Sequence, residues 1–294
     1  MAHKPKRDHF VPQLLIRQFM NADGRVFCFD KKHRSIPERE HGNAPKDILH
    51  RAQFYTDSLG NLDNELYKRI EREFSPHLVR LLKAPEIAAT SAGFGKATIE
   101  WIAAQATRTP LVPALAEDIL KRHGPIEVIA DEKQRPVLYN CARIQQYQRL
   151  IAVMRSPRWR WRMWRASPPS CFVLGDHPVC WTTTSMAMGF MLLVPFSPRL
   201  MLVGGSDDGH EVFRAREIIR GVNGYIPSLA DRLGYSSSLQ ALEAIEQMFK
   251  TSGDPEHDEW MRYASEPFHG QSLRVAAGHP PDDFNANDLI RRFQ

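Results

Sequence analysis

The stretch Arg158-Trp159-Arg160-Trp161-Arg162-Met163-Trp164-Arg165 marks the point at which the hydrophobic period of this chain changes. Before it, apolar residues recur every three to four positions, and within it they alternate with arginine. Such alternation is typical of a β-strand whose two faces meet different surroundings. We therefore predict a strand whose tryptophans are buried and whose arginines, Arg158, Arg160 and Arg162, face outward.

The outward arginines have two interpretations. Arginine contacts phosphates and tryptophan can stack on bases, so the run invites a nucleic-acid interpretation. A strand, however, places Trp159 and Trp161 on the face opposite to the arginines, where they belong to the core. The arginine face is then either simply solvated or the lining of a groove that binds phosphate.

The residues after this strand predict an antiparallel meander. A Ser-Pro-Pro-Ser turn at 167–170 precedes a second apolar segment over 171–174, which we expect to pair with 158–165. A loop over 182–185 follows. Further strands are predicted over 189–195 and 199–204, on either side of a Phe-Ser-Pro turn.

Amphipathic helices dominate the first half of the chain. Apolar residues at three- and four-residue spacing predict one helix over 61–83, bent near Pro76, and another over 94–107. Pro110 ends the second helix or kinks it, because a proline disfavours the α region in the residue before it. Further helices are predicted over 111–123, 137–155 and 239–248, and a short strand over 25–31 precedes a polar loop over 36–46.

Together these elements predict an α+β fold, in which a helical first half packs with an antiparallel meander, about residues 158–204, and C-terminal helices. The chain has 294 residues, of which 43% are hydrophobic, so it is long enough for a large core. We expect a single α+β domain over 1–277. A tail rich in Gly, Pro and Asp, over 278–294, is expected to be mobile.

Charge and cysteine content restrict the class of protein. The formal net charge is +5, and 28 of the 39 basic residues are arginine, whose guanidinium suits phosphate. A GC-rich genome produces the same bias, so nucleic acid or another phosphate ligand is one interpretation and solubility the other. The four cysteines form no Cys-x-x-Cys pair. Because the basic N-terminus is followed by no apolar segment and no stretch approaches roughly 18 apolar residues, we expect neither a signal peptide nor a membrane span. We expect a cytoplasmic protein without a membrane partner, and the oligomeric state stays open.

A polar motif stands near the N-terminus, in His9-Phe10-Val11-Pro12-Gln13-Leu14-Leu15-Ile16-Arg17-Gln18-Phe19. Pro12 disfavours helix in the residue before it, so we expect His9 on an extended lead-in and a helix that begins at Gln13. His9 would then serve as an acid, a base or a phosphate contact, with Gln13 and Arg17 beside it. Alternatively, the segment is a structural clamp whose polar groups hydrogen-bond a sheet edge.

Arg108 is a second candidate, because it precedes Thr-Pro at the end of a predicted helix and a broken turn can aim a guanidinium inward. The competing interpretation is an ion pair between Arg108 and Glu65 or Glu71 of the preceding helix. A structural pair and a functional site do not exclude one another.

Asp176 is a third candidate, since it ends an apolar strand and precedes His177 and a proline. Carboxylates at such positions serve as bases or metal ligands, and they also cap turn amides without further function. A divalent metal would need more ligands, drawn from Asp8, His9, Glu65, Glu71 or His177, and no spacing here matches a standard metal motif. A metal cofactor therefore stays open.

The order of these motifs resembles the bacterial family called domain of unknown function 4238. The N-terminal motif is similar to that family's His-x-Val-Pro-Gln opening, and Arg-Thr-Pro at 108–110 to its turn of the same sequence. This chain departs from the pattern at Asp8, Gly175 and Phe196, where a His, a Ser and a Leu are usual. The remaining similar blocks are 53–56, 65–71, 172–178 and 194–198. The resemblance implies relatives and no particular reaction.

Our leading hypothesis from the sequence is a hydrolase, nuclease-like, that acts on nucleic acid or another phosphate-bearing substrate. It assigns catalytic roles to His9, Gln13, Glu65, Arg108 and Asp176, and phosphate contacts to Arg17, Arg158, Arg160 and Arg162. The alternative is a non-catalytic module that binds nucleic acid or protein and uses the same residues as a structural polar network. Convergence of the five catalytic candidates on one cleft would favour the enzyme, and mutual pairing would favour the module.

Overall fold

The computed structural model describes residues 7–9, 11–48, 50–52, 64–84, 95–108, 147–148, 150–157, 159–184, 189–206, 223 and 233–251. The described helices are α1 (Gln13–Ile16), α2 (Asn64–Lys83), α3 (Lys96–Thr107) and α4 (Leu239–Thr251), and residues 147–148 and 150–154 are also helical. Two 3₁₀ turns cover Arg17–Phe19 and Pro45–Asp47. The described strands are β1 (Arg7–His9), β2 (Phe27–Asp30), β3 (His50–Ala52), β4 (Trp159–Arg165), β5 (Leu174–Gly175), β6 (Cys180–Thr184), β7 (Gly189–Ser197), β8 (Leu200–Ser206) and β9 (Leu233–Ser236).

These strands form three antiparallel sheets within the described residues. A four-stranded sheet has the order β4-β8-β7-β6, a three-stranded sheet the order β2-β9-β5, and β1 pairs with β3. Helices and antiparallel sheets in separate stretches of the chain make an α+β protein, as predicted. No described helix is long and apolar enough to cross a bilayer.

The four-stranded sheet, here called the central sheet, separates two hydrophobic cores. One core, the helical core, contains Phe74 of α2, Trp101 of α3 and Phe196 of β7, and Phe74 stacks on Trp101 with ring centroids 4.2 Å apart. The other, the second core, contains Val203 of β8 and Phe249 of α4. In the described parts of β7 and β8, alternate side chains enter different cores, with Leu192 and Leu202 in the helical core and Leu193 and Val203 in the second core.

The strand predicted at 158–165 is present, but its predicted partner is wrong. β4 pairs with β8, where Trp161 lies opposite Gly204, whereas β5 joins β9 in the other sheet. The segment between β4 and β5 does not form a hairpin with β4, because its backbone makes other hydrogen bonds. Phe172 N–H donates to Pro198 O at 2.9 Å, and Val173 N–H donates to Asn223 Oδ1 at 3.1 Å. These bonds hold 171–173 against the β7–β8 turn, so it cannot fold back on β4.

Two further strand predictions have opposite outcomes. The pair over 189–195 and 199–204 is confirmed as β7 and β8, which continue a meander that begins at β6. The loop predicted over 182–185 is wrong where it is described, because Thr182, Thr183 and Thr184 lie in β6. Three successive β-branched residues favour the extended backbone, and this outweighs the polarity that suggested a loop.

The described helices agree with the sequence pattern. α2 buries Ile70, Phe74, Leu78 and Leu81 on one face and contains Pro76 on the exposed side. α3 ends at Arg108, whose φ of −100° and ψ of 35° leave the helical region just before the Thr-Pro pair. The bend at Pro76, the single domain over 1–277 and the helix over 111–123 stay predictions, and the last, like the tail over 278–294, lies outside the described residues.

The short strand β2 begins after the predicted Asn-Ala-Asp-Gly turn. Asn21 Oδ1 accepts hydrogen bonds from Asp23 N–H at 3.0 Å and Arg25 N–H at 2.9 Å. Gly24 has a φ of +70°, a region that a side chain disfavours and glycine adopts freely. Asn21 and Gly24 therefore stabilise the turn that directly precedes β2.

Candidate phosphate-binding surfaces and buried polar clusters

Arg160 and Arg162 of β4 lie on the face of the central sheet that borders the second core. Arg162 is opposite Val203 and Arg160 opposite Gly205, and both arginine side chains are exposed. Arg160 Nη1 donates to Pro157 O and, at 3.4 Å, to Trp159 O. Because Gly205 has no side chain, no side chain of β8 stands directly opposite Arg160 on this face. Arg158 lies outside the described residues.

Trp159 and Trp161 of β4 face the helical core and are buried, as predicted. Trp159 is 3% exposed and Trp161 7% exposed, and their rings meet edge to face with centroids 5.6 Å apart. They cover Gly204, where an added Cβ would lie 2.6 Å from Trp161 Cζ3. Trp159 and Trp161 therefore lie on the face opposite to Arg160 and Arg162, and neither of these two buried indoles can stack on a base, whereas Trp164 shares the arginine face and packs against the second core.

The junction of α2 and α3 holds an ion pair between the buried Arg108 and the half-buried Glu71. The Arg108 guanidinium donates to the Glu71 carboxylate and lies 4.9 Å from the ring centroid of Tyr67, and Arg108 is 6% exposed. This confirms the predicted pairing for Glu71. Glu65 stands in α2, and its side chain is not described.

A second charged cluster lies on the same helices and was missed by the sequence reasoning. The buried Glu100 of α3 pairs with Lys96 at 3.5 Å and with Arg155 at 3.7 Å. Burial, followed by the charge of Glu100, raises the pKa of Tyr147 to about 12, against the opposing charges of Arg69 and Arg155. The charge of Glu100 within an otherwise apolar helix, Ala-Thr-Ile-Glu-Trp-Ile, was the available signal.

Two polar side chains of α3 are enclosed without partners. Among the described residues that are buried, neither amide atom of Gln105 has a hydrogen-bond partner, and the same holds for Trp101 Nε1. Both residues are 0% exposed and lie one helical turn apart.

The N-terminal motif adopts the predicted local structure. β1 pairs with β3, with His9 opposite His50, and α1 begins after Pro12. Arg17 is exposed and donates to Gln13 Oε1 at 3.4 Å, a long hydrogen bond. From the sequence we also predict that His9 lies near Asp176 or Arg108, since polar groups interrupt apolar elements at these places. The side chain of His9 is not described, so this stays a prediction.

Asp176 and His177 form a turn that is closed to solvent. They are 3% and 6% exposed, and His177 O accepts a hydrogen bond from Cys180 Sγ at 3.3 Å. Burial raises the pKa of the Cys180 thiol, and the nearby charge of Asp176 raises it further. Within the described residues no three His, Cys, Asp or Glu side chains come together to hold a metal ion.

The exposed side of α2 is basic, which the sequence reasoning did not consider. Its exposed cations face away from the helical core, and the exposed acid beside them in the described part of the helix is Glu73. The apolar spacing that predicted the buried face also defined this opposite face, so the signal was present. The cations are Lys68, Arg69, Arg72, Arg80 and Lys83.

The family model described as "Protein of unknown function (DUF4238)" matches residues 7–238. The chain belongs to this family. No curated protein and no solved structure matches it. The DUF4238 match covers the N-terminal motif, the Arg108 turn and the Asp176 turn, and it ends just before α4. The surfaces described above on β4 and α2 both lie within it.

Proposed function

We propose that this DUF4238 protein binds the phosphate backbone of duplex nucleic acid through the outward arginines of β4. The observation that carries the proposal is the exposure of Arg160 and Arg162 on the face of β4 opposite to the buried Trp159 and Trp161. Positions two apart on a strand are about 7 Å apart, so two guanidinium groups can meet neighbouring anionic groups. The formal net charge of +5 favours the approach of a polyanion.

A duplex is favoured over a single strand because single-strand binding relies on aromatic stacking platforms. Trp159 and Trp161, the candidates for such a platform, are buried against Gly204. The third tryptophan, Trp164, shares the face of Arg160 and Arg162 but packs against the second core. The fully exposed contacts on this face are therefore charges, which recognise a backbone without reading its sequence. We further propose a reducing, cytoplasmic location, in keeping with the free and buried Cys28, Cys171 and Cys180.

The test is filter binding of a short duplex across a salt series. Each phosphate contact contributes about 0.9 to the slope of log affinity against log salt, so R160A/R162A should reduce the slope by about 1.8. R160K/R162K keeps both charges and should retain most of the slope. The matched control R25A/K32A removes two exposed cations near β2 and should bind as the unchanged protein does.

Two results would reject this proposal. One is the absence of duplex binding by the unchanged protein at low salt. The other is an equal loss of slope in R160A/R162A and R25A/K32A, which would mean that only the overall charge matters. If the protein binds a single strand more tightly than a duplex, the binding mode is base stacking and not contact with a duplex backbone.

Hydrolysis of the bound nucleic acid is a second candidate function, favoured by the carboxylate of Asp176 and the imidazole of His177 in one strand-end turn. A carboxylate beside an imidazole can orient it as a general base. Two observations oppose the hydrolase. Asp176 and His177 are both buried, and the Arg108 guanidinium forms an ion pair with Glu71. The non-catalytic module is therefore the better supported of the two hypotheses.

A cleavage assay with magnesium and with manganese separates the two. An enzyme of this type would lose turnover in D176N and keep its duplex affinity, while the exposed control D47N would keep both. Binding by the unchanged protein without cleavage in either metal would reject the hydrolase and leave the binding module.

A further inference from the structure

The exposed side of α2 carries a basic stripe, in which two groups of cations are separated by about two turns that contain the exposed Pro76 and Val79. At 3.6 residues per turn, Lys68, Arg69, Arg72, Arg80 and Lys83 fall within an arc of about 120°, and they extend over about 22 Å of helix. Glu73 stands at the margin of this arc. The buried residues of the helix occupy the opposite side. We call these five cations the α2 basic face.

The chemistry of this face fits a phosphate backbone better than a membrane surface. A helix that binds anionic lipid at the interface inserts an apolar face. The apolar face of α2 is already in the helical core, where Ile70, Phe74 and Leu78 are buried, and Val79 is its exposed large apolar residue. Three of the five cations are arginine, whose planar guanidinium binds phosphate in a bidentate manner.

The α2 basic face and the β4 arginines lie on opposite sides of the central sheet. α2 packs on the helical core, since Phe74 contacts Phe196 of β7 with ring centroids 5.9 Å apart. Arg162 is opposite Val203, which belongs to the second core. A duplex much shorter than its persistence length of about 150 base pairs stays straight, so one duplex cannot follow both surfaces.

We propose that the α2 basic face is a second duplex-binding surface and that one molecule thereby joins two duplexes. This inference rests on the proposed function, because the other duplex is held by Arg160 and Arg162. It assigns the protein a bridging role, in which binding is independent of base sequence and sensitive to salt.

The experiment measures bridging and salt slope together. A short duplex fixed on beads captures a second, fluorescent duplex only when a protein joins them. R72A/R80A/K83A removes three exposed cations and keeps the helix, because alanine is the best helix former. Its matched control R25A/K32A/K46A removes three exposed cations elsewhere.

We expect the unchanged protein and the control to bridge. R72A/R80A/K83A should bind one duplex and should not bridge, and the salt slope summed over both binding events should fall by about 2.7. R160A/R162A should also bind one duplex without bridging. An equimolar mixture of the two single-surface variants should not bridge either, because each molecule then holds one duplex.

The remaining outcomes overturn the inference in distinguishable ways. If R72A/R80A/K83A bridges with an unchanged slope while R160A/R162A loses affinity, the α2 surface is rejected and the proposed function survives. If the unchanged protein binds no duplex, both are rejected. If the mixture of variants bridges, self-association joins the duplexes instead. Equal competition by polyglutamate would identify an acidic protein as the partner and reject nucleic acid.

Discussion

The ring of Trp161 occupies the space that a side chain at position 204 would need. A Cβ built on Gly204 would lie 2.6 Å from Trp161 Cζ3 and 2.8 Å from the Trp159 ring, closer than real Cβ atoms come to other heavy atoms. β4 therefore joins β8 at the register where glycine leaves room for both indoles.

We expect Gly204→Ala to destabilise the protein by about 1–3 kcal/mol, the usual cost of overpacking a core. Urea unfolding followed by tryptophan fluorescence measures this change. Gly205→Ala is the matched control, because Gly205 pairs with the solvent-exposed Arg160 on the other face. A smaller effect at position 204 than at position 205 would contradict the packing described for the two tryptophans.

The pair between Arg108 and Glu71 predicts a strong asymmetry between single and double substitutions. Glu71→Leu alone leaves a buried guanidinium without its carboxylate, so we expect a loss on the order of 3 kcal/mol. Arg108→Met combined with Glu71→Leu should restore most of the stability, because two apolar side chains need no counter-charge. A double-mutant cycle by urea unfolding measures both. Additive losses would mean that the two residues do not stabilise each other.

Glu246 of α4 predicts a loss of stability in acid. Burial opposes its ionisation, but hydrogen bonds from Arg39 and Lys250 outweigh burial and lower its pKa below 4.5. The unfolded chain then binds the proton more readily, so the stabilisation is present above about pH 4.5 and is lost as the pH falls through the folded pKa.

Glu246→Gln should therefore reduce the difference in unfolding free energy between pH 6 and pH 3.5. Glu243→Gln is the matched control, because Glu243 pairs with the same Arg39 at 3.1 Å but is largely exposed. An equal effect of the two substitutions on the pH dependence would show that burial of Glu246 does not matter.

Cys28 should be almost unreactive in the folded protein. Burial raises the pKa of its thiol to about 12, although a hydrogen bond from Asn43 acts in the opposite direction. At pH 8 the thiolate fraction falls by about a thousandfold relative to a thiol of pKa 9, and alkylation requires the thiolate. The variant Cys141→Ser retains only the three buried cysteines, Cys28, Cys171 and Cys180. Mass spectrometry measures how far its Cys28 is alkylated by iodoacetamide in the native protein and in urea. Rapid native alkylation at Cys28 would mean that this region opens readily.

Several elements could be predicted because their determinants are local. The alternation of Trp and Arg defines β4 whatever its neighbours are, and the spacing of Ile70, Phe74 and Leu78 defines the buried face of α2. Likewise, Arg108 could be matched with an acid of α2, because helices that are consecutive in the chain usually pack together.

The sequence by itself determined the α+β class, the faces of β4 and α2, and membership of DUF4238. Only the tertiary structure decided that β4 pairs with β8, because the choice depends on the space above Gly204 and on Asn223, which is distant in sequence and binds the backbone at Val173. It also decided that Arg162 and the α2 basic face lie on opposite sides of one sheet. Periodicity reports which side of an element is buried, whereas the position of that side relative to another element follows from long-range packing.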